Sequence, residues 1–176
     1  MQKLKIALVI HTKRLTLRAI EGKDEEDMLD LLTNTEVGKT YMLPEFAKRE
    51  DARPLFDKLK DLSADCSRFV YGICLNGKLI GFINDVEIDG ARVELGYVIH
   101  PDYQNQGYAT EALTAGIDSL FQAGISTVET GAFEENSASM RVMEKSGMHR
   151  IPRTDQIDYR GNTHTCVYYQ KNAKNR

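Results

Sequence analysis

The segment from Val93 to Ala112 has residue types and a spacing that could bind a phosphate group. An apolar run is followed by the polar stretch 101–106, and from Gly107 onward apolar residues recur with helical period. A polar loop that opens a helix leaves the first helical N–H groups unpaired, and the helix dipole adds partial positive charge there. Gly107 and Ala109 are small, so the backbone can approach a ligand closely. The pattern therefore predicts a pyrophosphate site that requires few basic side chains.

Taken alone, the spacing Gln104-x-x-Gly107-x-Ala109 fits equally well a glycine that merely opens a helix. The whole segment resembles the acetyl-CoA-binding motif of the GCN5-related N-acetyltransferases (GNAT). The resemblance is greatest to their RimJ/RimL-like branch, which acetylates N-terminal amines of ribosomal proteins or other small amines. Asn105 and Gln106 depart from the pattern of that branch, because glycine and a basic residue are common at these positions. The departure removes one cation that could contact a phosphate.

Three further stretches extend the resemblance over nearly the whole chain. Residues 136–148 are similar to the family pattern N-x-x-S-x-x-x-x-E-K-x-G-F, with Met148 in place of the usual phenylalanine. Residues 12–18 resemble the first strand of the branch, and residues 159–164 resemble the turn before its last strand. The region 35–66 matches least, and members of the family use this region to bind their own acceptors.

The resemblance implies that the strands at 91–100 and 126–133 diverge, and that the pantetheine arm of acetyl-CoA lies between them. Backbone groups of the first strand would pair with the amides of the arm, and the loop before the helix would bind the pyrophosphate. The acetyl-CoA-binding residues implied in this way are Tyr97, Val98, Ile99, Gln104, Asn105, Gln106, Gly107, Tyr108, Ala109, Thr110, Asn136 and Lys145. Simpler roles remain open, namely a buried strand, a helix N-cap at Asn136 and a solvated helix end at Lys145.

The same resemblance implies two catalytic residues, in a reaction where the acceptor amine attacks the thioester directly and no protein nucleophile is needed. Glu94, which lies in an apolar run, is the candidate general base, acting directly or through a water molecule. A carboxylate that only orients the acceptor is the alternative. Ser139 is the candidate acid that protonates or hydrogen-bonds the leaving thiolate, with Tyr168 or Tyr169 as alternatives.

Composition and charge argue against several other classes of protein. With 176 residues, 41% apolar and 28% charged, the chain fits one globular domain over 1–176. A net charge of −3 argues against a general binder of nucleic acid or anionic membranes. The three cysteines and four histidines lack metal-site spacing, so we expect free thiols and no metal. The apolar run 6–10 is too short for a signal peptide or a membrane span, which predicts a cytoplasmic protein.

Alternation and helical period predict a mixed α/β (α+β) fold, as the resemblance to the GNAT family also implies. Its sheet is expected to be mostly antiparallel, with helices on both faces, in the order β-α-α-β-β-β-α-β-α-β-β. The predicted strands are 15–20, 69–75, 78–88, 91–100, 126–133, 148–155 and 164–171, and the predicted helices begin at Asp24, Arg49, Gly107 and Asn136. Asn76-Gly77 and Asp89-Gly90 are the expected two-residue turns of a meander, and 36–47 is expected to be irregular.

Together these features predict an acetyl-CoA-dependent N-acetyltransferase that acts on a primary amine in a ternary complex, without a metal. The acceptor is a protein N-terminus or a small amine such as a polyamine, an amino acid or an antibiotic. Acidic residues between 36 and 51 favour a cationic acceptor. A CoA-binding regulatory module without catalysis is the alternative, whereas a nucleotide hydrolase would need the Gly-Lys-Ser/Thr ending of a P-loop. We expect a monomer or homodimer that binds neither nucleic acid nor membrane.

Overall fold

Eight strands form one sheet in the computed structural model, which describes residues 4–174. The strands are β1 (Ile10–His11), β2 (Leu15–Arg18), β3 (Val70–Leu75), β4 (Lys78–Asp89), β5 (Arg92–Ile99), β6 (Thr127–Phe133), β7 (His149–Tyr159) and β8 (Asn162–Asn172). Their order is β1-β2-β3-β4-β5-β6-β8-β7, and every neighbouring pair is antiparallel except β5–β6, which is parallel. This sheet confirms the predicted mixed architecture. Residues 1–3 and 175–176 lie outside the described part, so the single domain over 1–176 stays a prediction.

Two hairpins close through turns whose residues have left-handed φ angles. Asn76 (φ 49°) and Gly77 (φ 83°) join β3 to β4, as predicted. Arg160 (φ 49°) and Gly161 (φ 78°) join β7 to β8 in the same way. Two-residue turns with positive φ at both positions match the twist of the flanking strands, and asparagine and glycine adopt that conformation readily.

The turn between β4 and β5 differs by one residue from its prediction. Asp89 still pairs with Arg92, so the turn consists of Gly90 and Ala91 rather than Asp89 and Gly90. The register shifts between Asp85 and Glu87, where β4 contains one extra residue opposite β5. Such a bulge shifts the pairing of every later β4 residue by one position, and the strand then ends at the Asp89–Arg92 pair.

Within the described residues, five α-helices cover the sheet: α1 (Glu25–Leu32), α2 (Thr35–Thr40), α3 (Arg53–Ala64), α4 (Tyr108–Gln122) and α5 (Ser137–Lys145). Helices α1–α3 pack on one face, and α4 and α5 pack on the other. Strand β1 and helix α2 are additions to the predicted order. The expectation that 36–47 is irregular is wrong for its first residues, because Asn34 Oδ1 caps α2 and Val37 is buried. No helix between residues 4 and 174 is long and apolar enough to cross a membrane.

The parallel pair β5–β6 is joined over only half of β5. Residues 92–95 pair with 127–130, and beyond that rung β5 stays with β4 while β6 stays with β8. The two strands therefore diverge, as predicted, and leave a gap in the sheet. Because side chains alternate along a strand, Leu95 packs against α4 and α5, whereas Val98 packs on the α1–α3 side. At the gap, the two faces of the sheet therefore differ in composition.

Candidate active site

The gap between β5 and β6 opens into a cavity of about 930 Å³. Its walls come from both strands, from the loop before α4, from α5 and from the region of α2 and α3. The predicted site residues that line it are Glu94, Tyr97, Val98, Ile99, Gln104, Asn105, Gly107, Tyr108, Ala109, Thr110, Asn136, Ser139 and Lys145. Gln106 does not line it, because its side-chain amide turns back and donates to the carbonyl of Asp102 at 3.4 Å.

The loop before α4 turns sharply because two of its residues have left-handed φ angles. Asn105 has φ 59°, and Gly107, the N-cap residue of α4, has φ 82°. This conformation favours glycine, and a Cβ at Gly107 would crowd Nη2 of Arg14 at 3.1 Å. Gln104 Nε2 donates to the carbonyl of Ile99 at 2.9 Å and ties the loop to the end of β5. The result is the geometry of an anion site at a helix N-terminus.

Arg14, to which the sequence interpretation assigned no role, braces this loop. Its Nη1 donates to the carbonyl of Gln106 at 2.9 Å, and its Nε donates to Glu111 at 2.7 Å. Its guanidinium also lies 4.4 Å from the ring centroid of Tyr108. Desolvation acts to raise the pKa of Glu111, but hydrogen bonds from Thr12 and Arg14 outweigh it and hold that pKa below its ordinary value. A cation therefore stands beside the loop even though position 106 is glutamine.

Neutral hydroxyl groups line the α4/α5 face of the gap. The hydroxyls of Tyr97 and Ser139 lie 2.7 Å apart and form a hydrogen bond across from β5 to α5. Burial raises the pKa of Tyr97 well above its ordinary value, so the phenol keeps its proton. Asn136 Oδ1 accepts from the N–H of Ser139 at 3.2 Å. The N-cap role of Asn136 is thus confirmed, and its contact with acetyl-CoA stays a prediction.

Thr130 is buried at the narrow end of the gap, on the same face. It lies opposite Leu95 at the last rung of the β5–β6 pairing, and it is 0% exposed. Thr130 lines the cavity, and its Oγ1 has no hydrogen-bond partner within residues 4–174. A buried hydroxyl without a partner costs about 1–3 kcal/mol. No sequence signal points to Thr130, because threonine is common in strands.

Charged side chains meet on the opposite face of the gap, around Glu94. The Glu94 side chain is 11% exposed, and its Oε2 accepts from Arg153 Nη1 at 2.9 Å. Glu129 pairs with Glu94 in register, and the same Nη1 donates to Glu129 at 3.1 Å. The shared arginine offsets the repulsion between two carboxylates on neighbouring strands. The immediate partners of Glu94 are therefore ionic, although Glu94 lies in an apolar run of the sequence.

The two tyrosines considered as alternative acids occupy different places. Tyr168 lines the cavity, its ring lies 3.7 Å from the guanidinium carbon of Arg153, and its hydroxyl donates to Asp155 at 2.7 Å. Tyr169 does not line the cavity and donates to Glu144 at 3.1 Å. Desolvation, together with the hydrogen bond to Asp155, raises the pKa of Tyr168 well above its ordinary value. The geometry therefore retains Tyr168 and removes Tyr169 as a candidate.

A second cavity of about 480 Å³ adjoins the first at the N-terminal end of α4. Gly107, Thr110 and Lys145 line both cavities, so the two spaces meet beside the loop. Lys145 places an ammonium group there from the last turn of α5. In the described part of the chain, no group of three or more His, Cys, Asp or Glu side chains is arranged to hold a metal ion.

The parallel strand pair that diverges beside a glycine-opened helix agrees with the arrangement that the resemblance to the GNAT family implies, in which acetyl-CoA lies between two strands. The sequence profile of the acetyltransferase (GNAT) domain family matches residues 14–149. The chain is also 32% identical over 162 residues to the uncharacterized N-acetyltransferase YnaD of Bacillus subtilis strain 168, covering 91% of this chain and 94% of YnaD. The chain therefore belongs to the GNAT acetyltransferase family, and it is an acetyltransferase that uses acetyl-CoA.

Solved structures share the fold over nearly the whole length. A GNAT-family acetyltransferase from Bacillus anthracis has a TM-score of 0.80 and 27% identity, covering 93% of this chain and 98% of that chain. RimL, a ribosomal L7/L12 alpha-N-protein acetyltransferase determined in complex with coenzyme A, has a TM-score of 0.82 and 19% identity, covering 93% and 97%. The predicted resemblance to RimL-like enzymes is thus confirmed at the level of the fold.

Proposed function

We propose that the enzyme acetylates a primary amine, either a protein N-terminus or a small molecule, by direct transfer in a ternary complex. The observation that carries this proposal is the position of Glu94 in the cavity, near the point where β5 and β6 diverge. One face of the gap offers neutral hydroxyls and the other offers this carboxylate. Two reactants can therefore meet at the narrow end from opposite sides. Holding them in that geometry accounts for much of the acceleration such a transfer needs.

Several features beside the gap fit acetyl-CoA as the donor. The N-terminus of α4 suits a pyrophosphate, because Gly107 has no Cβ to obstruct the ligand and the guanidinium of Arg14 lies close by. The edge of β5 over 96–99 has no β6 partner and suits the amides of the pantetheine arm. The adjoining cavity that reaches Lys145 gives room for the nucleotide. The proposed binding residues are Tyr97, Val98, Ile99, Gln104, Asn105, Gln106, Gly107, Tyr108, Ala109, Thr110, Asn136 and Lys145.

Glu94 is the proposed general base. Amines reach the site largely protonated, because alkyl ammonium groups titrate near ~10 and α-amino groups near ~8. As the C–N bond forms and the C–S bond breaks, Glu94 accepts the proton of the amine directly or through one water molecule. Arg153 is hydrogen-bonded to Oε2 of Glu94. The other carboxylate oxygen, Oε1, is therefore the proposed proton acceptor.

Ser139 is the proposed acid for the departing thiolate. Its hydroxyl lines the cavity and lies 2.7 Å from the hydroxyl of Tyr97, which keeps its proton because it is buried. Tyr97 can therefore donate a hydrogen bond to Ser139 while Ser139 gives its proton to the sulfur. Glu94 releases the proton of the amine to solvent, and Ser139 regains a proton from solvent after the thiol leaves. Tyr168 is the alternative donor, although its hydroxyl is directed at Asp155.

The acceptor enters on the α1–α3 side in this proposal. Of the acidic residues between 36 and 51, Glu36 lines the cavity, and the proposed preference for a cationic acceptor rests on it. Tyr41, Met42 and Val86 add apolar surface at the same entrance. We place the reaction in the cytoplasm, in agreement with free thiols on Cys66, Cys74 and Cys166, and we propose a monomer or homodimer as the active unit.

An amine panel with thiol-release detection tests the proposal. The purified enzyme is mixed with acetyl-CoA and N-terminal peptides, polyamines, amino acids or aminoglycosides. We expect release of CoA that depends on at least one of these amine classes, with acetylation of that amine seen by mass spectrometry. Tight acetyl-CoA binding without amine-dependent release from any class would favour the alternative, a CoA-binding regulatory module.

A further inference from the structure

Thr130 is a fully buried residue that lines the cavity, and its hydroxyl has no protein partner among the described residues. Its Oγ1 finds no hydrogen-bond partner among residues 4–174, and the residue has no exposed surface. Two other hydroxyls of this wall, those of Tyr97 and Ser139, bond to each other. A hydroxyl in such a place is unfavourable unless something else supplies its partner.

The position of Thr130 along the gap indicates what that partner is. The loop at Gly107 lies beyond the C-terminal end of β5, where the strands are far apart, whereas Thr130 lies at the last rung before they diverge. From Leu95 to Ile99 the strand rises by roughly 13 Å. A donor anchored by its pyrophosphate at the loop and extended along β5 therefore brings its thioester end towards Thr130.

The surroundings of Thr130 and the structure of acetyl-CoA limit which ligand atoms the hydroxyl can contact. The register partners of Thr130 are Leu95 on β5 and Tyr169 on β8, and the hydroxyl of Tyr169 donates to Glu144. Neither residue forms a hydrogen bond with the Thr130 hydroxyl. The thioester end of acetyl-CoA carries two carbonyl oxygens, one in the thioester and one in the amide nearest the sulfur. Either can accept a hydrogen bond from a threonine hydroxyl.

We propose that Thr130 is a binding residue for the reactive end of the acyl donor, and that its hydroxyl donates to one of these two carbonyl oxygens. The inference rests on the proposed function, because it takes acetyl-CoA to lie in the gap. It adds a side-chain contact on β6 to the backbone contacts proposed for β5. It also explains why a threonine stands where valine, of nearly the same shape, would pack without an unpaired hydroxyl.

Calorimetric titration of Thr130→Val with acetyl-CoA and with CoA tests this proposal. Valine keeps the volume and removes the hydroxyl, so we expect acetyl-CoA to bind about tenfold more weakly, the effect of one hydrogen bond. The melting temperature without ligand should stay equal or rise. Thr130→Ser, which keeps the hydroxyl, should bind within about threefold of the wild type. Thr16→Val makes the same chemical change on β2, outside the cavity, and should bind as the wild type does.

Each result of these titrations leads to a different conclusion about Thr130. Weaker binding of acetyl-CoA alone supports a contact with the thioester carbonyl, and weaker binding of both ligands supports a contact with the amide. Wild-type affinity of Thr130→Val for both ligands overturns the proposal. A Thr130→Val chain that melts well below the wild type also overturns it, because the hydroxyl then serves the fold. If the wild type binds neither acetyl-CoA nor CoA, the proposed function itself is contradicted. The titration of the wild type alone distinguishes this case from failure of the Thr130 proposal.

Discussion

The two faces of the β5–β6 gap carry different chemistry although the same two strands build them. Towards α4 and α5 lie the neutral hydroxyls of Tyr97, Thr130 and Ser139. Towards α1–α3 lie Glu94 and Glu129, joined by the guanidinium of Arg153. Alternation along a strand produces this separation, since consecutive residues point to opposite faces. In the proposed mechanism, donor binding and proton removal can therefore be changed independently, one face at a time.

The largest expected effect comes from blocking the donor side at the loop. Gly107→Glu should abolish acetyl-CoA binding, because its side chain occupies the proposed pyrophosphate site and adds negative charge there. For the wild type, ligand at 100 times its Kd adds about 2.7 kcal/mol of stability, seen as a rise in Tm. The variant should show no such rise. Gly90→Glu is the control, because Gly90 also has positive φ (57°) but lies in the β4–β5 turn with open space around it. An undiminished Tm rise in Gly107→Glu would contradict the site.

The second largest effect is expected from removing the proposed base on the acceptor side. Glu94→Gln keeps size and polarity but cannot accept a proton, so kcat should fall by about 10²–10³. The deficit should shrink as pH rises from 6 to 9, because more of the amine is already neutral. Glu87→Gln is the matched control, since Glu87 pairs with Glu94 in register on β4 but is exposed outside the cavity. Turnover equal to the wild type at every pH would assign proton removal to solvent or to another residue.

A smaller effect is expected from the acid on the hydroxyl face. Ser139→Ala should lower kcat by about tenfold with little change in the KM for acetyl-CoA. The factor is modest because a thiol titrates near ~8.5 and its thiolate leaves readily. Ser137→Ala, on an exposed position of the same helix, should leave kcat unchanged. Full activity of Ser139→Ala would move the role to Tyr168 or to water.

The smallest effect is expected at Glu111, which together with Arg14 holds the loop before α4. It is measured as a change in the pH dependence of stability. Hydrogen bonds from Thr12 and Arg14 hold the pKa of Glu111 below its ordinary value of 4.5, against desolvation. A carboxylate with a lowered pKa stabilises the fold above that ordinary value, and its contribution fades as pH falls through the lowered pKa. Glu111→Gln should therefore cost about 1 kcal/mol at pH 7 after discounting for solvent screening at Arg14.

That loss corresponds to a Tm decrease of about 2–4 °C in a chain of this size. The difference between variant and wild type should narrow below pH 4.5, which differential scanning calorimetry can follow. Glu36→Gln removes an exposed carboxylate that pairs with Lys39 three residues on, and it should change Tm very little. A Tm difference for Glu111→Gln that stays constant down to low pH would contradict the lowered pKa.

The donor side was the more predictable of the two, because its signals are local. The loop from Gln104 to Gly107 specifies a helix start suited to an anion, just as Asn76-Gly77 specifies the β3–β4 hairpin elsewhere in the sheet. Local rules missed features elsewhere in the chain. The turn after β4 lies one residue further on than predicted, and Asn34 caps a helix that contains Val37 where irregular chain was expected.

The charged face was less predictable because its members come from distant parts of the chain. Arg153 lies 59 residues after Glu94 and meets it only because β8 pairs with β6 and β7 pairs with β8. Glu129 joins them through the parallel register of β5 and β6. No local pattern encodes such pairings, so the ionic partners of Glu94 were not predicted. Thr130 escaped notice for a related reason, since only tertiary burial distinguishes it from an ordinary strand threonine.

The separation of the two faces is tested most directly by the affinity of Glu94→Gln for acetyl-CoA. Isothermal titration of this variant, with Gly107→Glu measured in parallel, gives Kd values without any acceptor present. We predict that Glu94→Gln binds acetyl-CoA as tightly as the wild type, although its turnover is low, and that Gly107→Glu does not bind. A large loss of acetyl-CoA affinity in Glu94→Gln would contradict the account, because Glu94 would then belong to the donor side.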